Sequence, residues 1–589
     1  MRRGVIERVS GPLVVCSGIA GVTLGEIVEV GSDRLIGEVV RVIGKRFFVQ
    51  VYENTSGLKP GEEVTATGKR LVAELGPGLL GSIFDGLQRP LPELLKLSGP
   101  FIKRGFKLNA LPRNRKWYFK PMVKAGDKVG PGDVIGIVEE TPSITHKVMV
   151  PPDAAPGEVV EIWEGDFTVE EQVATLATKG GEMELKLMQE WPVRVARPWS
   201  ERLPLEEPLL TGQRIIDMFF PVAKGGAVCV PGGFGTGKTV LLHKISMWSD
   251  ADVVVYVGCG ERGNEMAELL KEFPQLVDPR KGRPIIERSV LIANTSNMPV
   301  MAREASVYMG VTVAEYFRDM GYNVAILADS TSRWAEAIRE ISGRLEEMPV
   351  EQGFPAYLAD RLAEVYERAG RVVCLGRPER KGSVTVIAAI SPPGGDYNEP
   401  VTIHTLRFVG AMWALDTDLA YRRHFPAINW LRSFSQYADL LGGWWKSEVS
   451  DDAPKYRGRA LALLAAASEI EAIASVVGES ALPDDQRLIL LLADILKEGF
   501  LRQVSFEGEE TFCPPAKQHA LLKLMLDFYD YAYKLIRAGV PIDAIASLPY
   551  ISDLMRVKEE PMSEIKGLHG SLVKALEEVA RKHGVEVSS

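Results

Sequence analysis

Cysteine is scarce and scattered in this chain. Cys16, Cys229, Cys259, Cys374 and Cys513 are its five, in 589 residues, and no two stand in a CxxC spacing. That excludes a disulfide framework and a thiolate zinc site as organising features, and a reducing, cytoplasmic compartment is expected. No run of about 18 uninterrupted apolar residues occurs, so no membrane span is expected and any membrane role is borrowed from a partner. The opening MRRGVIERVSG carries charge but no apolar stretch of secretory length. An excess of basic charge is missing as well. Net charge is -9 and the pI is near 5.6, which leaves no whole-chain electrostatic footprint for nucleic acid, although a local basic patch is compatible with it. There is no repeat of fixed period and no low-complexity tract.

What is present is a folded, multidomain composition. Hydrophobic residues make up 46% and charged residues 25%, the balance of a packed protein, and the length calls for about three or four domains. Residues 1–70 read as short strands broken by Gly, Asn and Pro, as in RVIGKRFFVQVYENTSGLKPGEEV, and predict a small N-terminal β-barrel. Residues 71–109 read as a linker with a short helix. Residues 110–195 form a second β-rich block. Within it, VKAGDKVGPGDVIGIVEE and HKVMVPPDAAPGEVVEI resemble the two halves of a lipoyl- or biotin-carrier barrel. Such carriers present a lysine at a hairpin tip. The tip here falls near TPSI, which has none, and Lys147 falls inside the next strand, so the block reads as a structural insert. Over residues 196–436, apolar strands (GAVCV, VVVYVG, VLIANT, VAILAD, RVVCLG, VTVIAAI) alternate with helices. Continuous apolar runs mean strands buried on both faces, hence a mainly parallel sheet. Residues 437–589 carry apolar residues at helical spacing and predict an α-helical bundle.

The stretch PGGFGTGKTV carries the chemistry. Gly232, Gly233, Phe234, Gly235, Thr236, Gly237, Lys238 and Thr239 satisfy G-x-x-x-x-G-K-[ST], after a predicted strand and opening a predicted helix that continues from Val240. Glycines let backbone N–H groups converge on phosphate oxygens, and the helix offers its positive end. Lys238 is placed to neutralise β- and γ-phosphates, and the Thr239 hydroxyl to ligate Mg²⁺. Asp329 ends the buried strand NVAILAD, where ligands sit in open α/β sheets, and is the candidate acid for the magnesium shell. Glu261 and Arg262, in VVVYVGCGERGNE, end another such strand. A carboxylate there polarises an attacking water, and a guanidinium binds the γ-phosphate.

GCGERGNEM, VLIANTSNMPVMAREASVY, AEYFRDMGYNVAILADSTSRWAEAIREISGRLEEMP, SPPGGDYNEP and RRHFPAINW together resemble the catalytic A subunits of V-type and archaeal A-type rotary ATPases, over essentially the whole chain. The resemblance implies a multidomain α/β fold with N-terminal barrel, outward-bulging insert, RecA-like P-loop domain and C-terminal helical bundle. It implies Glu261 as catalytic carboxylate, Lys238, Thr239 and Arg262 handling phosphate and magnesium, and Asp329 holding Mg²⁺ through water. It also implies Phe425 stacking on adenine, with Phe506 as a second aromatic wall and Phe500 assisting. Non-catalytic B subunits alternating in a hexameric ring, a central rotor stalk, a peripheral stalk touching the insert, and a separate membrane sector are the implied partners. The place is the cytoplasmic face of the cell membrane, peripherally attached. An arginine supplied in trans by the B subunit is expected, so none is sought in this chain. F-type β subunits and flagellar-export ATPases lack the insert. Two departures stand out: Gly233 replaces the proline usual in A subunits, and Thr236 stands where eukaryotic relatives carry cysteine. Gly233 adds backbone freedom to the loop, and Thr236 leaves no loop thiol to switch. The rival readings are a nucleic-acid-driven hexameric ATPase of the RecA or Rho type, which needs a basic or aromatic nucleic-acid module, and a non-catalytic subunit, against which intact Lys238, Thr239 and Glu261 speak.

Overall fold

The computed structural model describes residues 2–99, 104–278, 282–503 and 510–585. By compactness the chain divides into two units that do not follow its linear order. The first comprises Met1–Pro204, Gly225–Ala227 and Ala251–Val409; the second comprises Leu205–Lys224, Val228–Asp250 and Gly410–Ser589.

The first unit opens with the expected barrel. Arg2–Ser10, Leu13–Ser17, Arg46–Val51, Leu35–Ile43, Glu26–Val30 and Glu63–Arg70 pair in that order and close on themselves. Alternation along each strand turns Ile6, Val14, Val28, Val30, Val49 and Val64 inward to a common core. The insert is two four-stranded sheets, with Ile144–Met149, Val134–Thr141, Trp117–Pro121 and Gly165–Phe167 forming one of them. Thr141 pairs with Ile144 at the hairpin tip. Lys147 lies within the strand, and its Nζ donates to the Met320 carbonyl at 2.6 Å, so it is not a swinging carrier arm. His146 pins the same hairpin to the adjacent helix, with Nδ1 2.6 Å from Glu140 and Nε2 2.8 Å from the Tyr316 hydroxyl.

The main sheet of this unit runs Lys381–Ile390, Asn323–Asp329, Val253–Glu261, Ser289–Thr295, all parallel. Their near-total burial is what the continuous apolar runs predict. Two details differ from the sequence pattern. RVVCLG becomes the strand Gly370–Val373, which pairs antiparallel with Lys381–Ile390. Only a few residues separate the two strands, enough for a hairpin and too few for a crossover helix. The stretch read as linker contributes Ile83–Phe84, which adds parallel to Ser289–Thr295, and its helix is Leu91–Ser98. Helix Val300–Asp319, buried almost throughout, packs on the sheet. Apolar side chains drive that packing, while Arg197 to Asp319 (2.6 Å) and Arg318 to Asp319 (2.6 Å) pair the charges it buries.

The second unit contains the strand Ala227–Pro231 from Val228 on, parallel to Ala411–Met412, and the helix Lys238–Trp248. Its C-terminal part is helical as expected, with Ala453–Val477, Asp484–Leu496, Pro515–Arg537 and Met562–Lys582 the long elements. Ala453–Val477 has a segment of mean hydropathy 1.8 and is long and apolar enough to cross a membrane by length and composition. Unbroken runs alone do not reveal this, because Glu469 and Glu471 interrupt the stretch. It packs instead against Asp484–Leu496 and Pro515–Arg537, and Lys497 pairs with Glu471.

In the first unit Trp334 is fully buried, meets Tyr308 edge-on with centroids 5.9 Å apart, and donates its indole N–H to the Glu304 carbonyl at 2.9 Å. Trp334→Ala is expected to destabilise this unit by about 3–5 kcal/mol. A circular-dichroism denaturation midpoint equal to wild type would contradict that packing account.

Candidate functional site

The phosphate-loop candidates all fall in the second unit. The strand Ala227–Pro231 is buried throughout, and the chain then turns into a helix that begins at Lys238. Gly232 is obligatory: a Cβ there sits 2.7 Å from the Thr236 hydroxyl and 2.8 Å from Leu415 Cβ. Gly237 has φ +86° and is the turn by which the helix starts. Gly233 differs, since a Cβ there meets only an ordinary contact with Thr417, at 3.6 Å. Lys238 folds back over the loop, with Nζ 2.8 Å from the Gly232 carbonyl and 2.7 Å from that of Gly233. The Thr236 hydroxyl donates to the same Gly233 carbonyl at 2.8 Å. These two carbonyls help keep the cation at the mouth of the loop, and a phosphate oxygen is a stronger partner for it than either of them. Phe234 at the loop tip is 79% exposed, and Val240 faces outward too.

The aromatic candidates separate. The Phe425 ring lies against the loop, its Cε1 3.4 Å from where a Cβ of Gly237 would be. Phe500 is fully buried and stacks on Phe219 with centroids 5.4 Å apart at 29°. An enclosed ring offers no face to a base, so the expected help to the adenine pocket is not what its placement provides. Phe506 lies outside the described residues.

The acidic candidates belong to the first unit. Asp329 ends Asn323–Asp329, Glu261 ends Val253–Glu261, and the two strands are adjacent with Gly258 opposite Asp329. Both carboxylates thus stand at the carboxyl ends of neighbouring parallel strands. Asp329 is 2% exposed and accepts from the Tyr256 hydroxyl at 3.2 Å. Burial pushes the Glu261 carboxyl up to about 7, and the charges of Asp329 and Glu265 add to the shift; Arg333 and the Ser330 hydroxyl oppose it. Gly260, at φ +74°, makes the turn that aims Glu261, and a Cβ there would meet Arg333 Cβ at 2.6 Å. Arg262 is largely exposed, with Glu265 3.9 Å from its guanidinium. Residues missed from sequence are Tyr256, Glu265, Ser330 and Arg333. A usable signal was the helix start STSRW directly after Asp329, which returns polar groups to the strand ends.

Comparison with known proteins places the chain in a family. Residues 212–435 match the ATP synthase alpha/beta family, nucleotide-binding domain, and residues 6–68 match its beta-barrel domain. Residues 108–194 match the ATPsynthase alpha/beta subunit barrel-sandwich domain, and residues 442–546 the C-terminal domain of V and A type ATP synthase. The protein is thus of the ATP synthase alpha/beta class. The chain is 65% identical to the A subunit of the A-type ATP synthase of Thermofilum pendens, over 100% of this chain and 98% of that one. It is 55% identical to its counterpart in a Desulfurococcus species (99% and 100% covered) and 56% to that of Methanopyrus kandleri (96% and 95%). The chain belongs to the family of A-type ATP synthase A subunits. Among solved structures it is similar to the ATPase EscN of the enteropathogenic E. coli type III secretion system, with a TM-score of 0.63 at 20% identity, covering 89% of this chain and 100% of that one. That likeness speaks for the fold alone.

The Glu261 shift has a stability consequence. An unfolded glutamate titrates near 4.5, and folded Glu261 keeps its proton up to about 7. Between those values the folded state holds more protons, so stability falls as pH rises through the window. Glu261→Gln, uncharged throughout, is expected to raise the thermal unfolding temperature above pH 7 and leave it unchanged below pH 4.5. Equal differences at both ends in a calorimetric pH series would refute the buried-carboxyl account.

Proposed function

We propose that this chain binds Mg-ATP through the loop Gly232–Thr239 and hydrolyses or forms its terminal phosphate bond with Glu261 as the water-activating carboxylate. The chain is a catalytic subunit of the A-type ATP synthase kind, an ATP hydrolase/synthase of the ion-transporting rotary type, and works in a membrane-associated complex with other subunits. The single observation that carries the proposal is the presence in one chain of both an intact phosphate loop and a strand-end glutamate whose carboxyl burial pushes up to about 7. A general base is most effective when its pKa lies near the working pH.

In this reading Lys238 leaves the Gly232 and Gly233 carbonyls for the β- and γ-phosphates, and the loop N–H groups take the remaining oxygens. Arg262 stabilises charge on the γ-phosphate. Phe425 presents a face to adenine. Thr239, and Asp329 through water, are the residues that would hold Mg²⁺: a hydroxyl and a carboxylate are hard oxygen donors of the kind this ion takes. When bound, the ion neutralises phosphate charge. Arg333 and Ser330 keep Glu261 aimed and able to ionise.

The finer assembly is part of the same proposal. Non-catalytic B subunits alternate with this chain in a ring and supply an arginine in trans, worth about 10³–10⁵ in rate in related phosphoryl transfer. The insert, with Tyr118, Met122, Val160 and Trp163 exposed, meets a peripheral stalk. The helical tail, with Ile473, Val476 and Val477 exposed, meets the rotor. The complex sits on the cytoplasmic face of the membrane. A nucleic-acid-driven ATPase is not favoured, since all four matched families are ATP synthase domains.

Glu261→Gln tests the assignment. ATP binding is expected to stay within about twofold of wild type while turnover falls by about 10²–10⁴. Measured by phosphate release beside equilibrium nucleotide binding, normal hydrolysis in this variant would overturn the role of Glu261.

A further inference from the structure

Gln503 stands where the helical bundle meets the nucleotide loop of the second unit. Helix Asp484–Leu496 continues through the turn Lys497–Leu501 and delivers the chain to Gln503, which is 1% exposed. Its backbone N–H donates to the Phe425 carbonyl at 2.7 Å. Its own carbonyl accepts from Nζ of Lys244, on the phosphate-loop helix, at 3.3 Å. The side-chain amide is committed as well: Oε1 accepts from the Arg214 N–H at 2.9 Å, and Nε2 donates to the carbonyls of Gly212 (2.8 Å) and Glu510 (2.7 Å). A buried amide with both ends engaged has one orientation; removing it takes away the acceptor of the Arg214 N–H and a donor to the Glu510 and Gly212 carbonyls, the latter also served by the Cys513 N–H. The side chain therefore fixes the backbone of residue 503, and that backbone holds the Phe425 segment against Gly237.

We propose that Gln503 is a positioning residue for the adenine-facing ring of Phe425, joining the grip on the base to the helix that precedes it. This rests on the reading of Phe425 as the adenine contact. Base stacking depends on where the ring lies, whereas the phosphate contacts come from the loop itself. Loosening Gln503 thus costs affinity for the base and spares affinity for the phosphate chain.

The test uses the full-length chain in its assembled complex and two probes, Mg-ATP and Mg-tripolyphosphate, which has the phosphates without the nucleoside. Gln503→Leu is expected to weaken ATP binding about tenfold and to leave tripolyphosphate binding unchanged, a ratio that a general loss of structure does not produce. Phe425→Ala is expected to show the same selective loss, and the double variant no more than Phe425→Ala alone, because both act through one contact. Equal losses for the two probes, or unchanged ATP binding in Gln503→Leu beside a selective loss in Phe425→Ala, would overturn the role of Gln503. Unchanged ATP binding in Phe425→Ala would instead remove the adenine reading of Phe425, and the proposal with it. Should the leucine variant fail to assemble, Gln503→Asn, one methylene shorter, decides by the same two probes.

Discussion

Glu261 ends a strand of a buried parallel sheet, and its withdrawal from water, with the charge of Asp329 on the neighbouring strand added to it, sets how readily it ionises. Glu261 and Asp329 end adjacent parallel strands, at the same carboxyl edge of the sheet. Burial disfavours the charged form of a carboxyl, and like charges nearby add to that cost, so holding the proton is the cheaper state. Glu261 does so, with its carboxyl pushed up to about 7. Arg333 and Ser330 limit the shift, so the group stays close enough to ionisation to exchange a proton. The parallel strands, the turn at Gly260 and the helix start after Asp329 are what put these groups at one edge.

The phosphate loop answers the opposite problem, how to keep donors ready for a dense negative charge. Its backbone is pinned by glycines that no side chain can replace, at Gly232 above all. Two backbone carbonyls help orient Lys238 at the loop, and each is a weaker partner than a phosphate oxygen. The same compact unit contains the Phe425 segment and the helices after residue 436, so the base side of the site and the helical bundle share a buried hydrogen-bond network. A unit of that kind transmits displacement, because packed interiors do not deform continuously.

Much of this was legible in the residues. The loop pattern, its flanking strand and helix, and the acid at the end of NVAILAD are local signals, and each lands where the pattern puts it. The buried strands show as uninterrupted apolar runs because both faces are covered. What was not legible depends on tertiary pairing. Ile83–Phe84 is too short to have a period, and only its neighbour makes it a strand. The antiparallel pairing of Gly370–Val373 follows from the short connection to Lys381–Ile390, which the apolar-run pattern by itself does not weigh. Phe500 and Phe425 read alike as isolated aromatics, yet one is sealed in the core and the other lies on the loop. Gln503 has no local signal, since its role arises from contacts with Gly212, Arg214 and Phe425, far away in sequence. The helix Ala453–Val477 shows the reverse problem, an apolar composition of which its partners in the bundle cover only a part, leaving Ile473, Val476 and Val477 exposed.

The central claim is that this chain is a rotary catalytic subunit whose site is completed by another subunit. Mg-ATP hydrolysis by the purified chain, alone, with single-stranded nucleic acid, and with a B-type subunit, tests it most directly. Slow turnover alone and strong stimulation by the B-type subunit only is the predicted result. Stimulation by nucleic acid, with none from the B-type subunit, would contradict the account and place the chain among translocating ATPases.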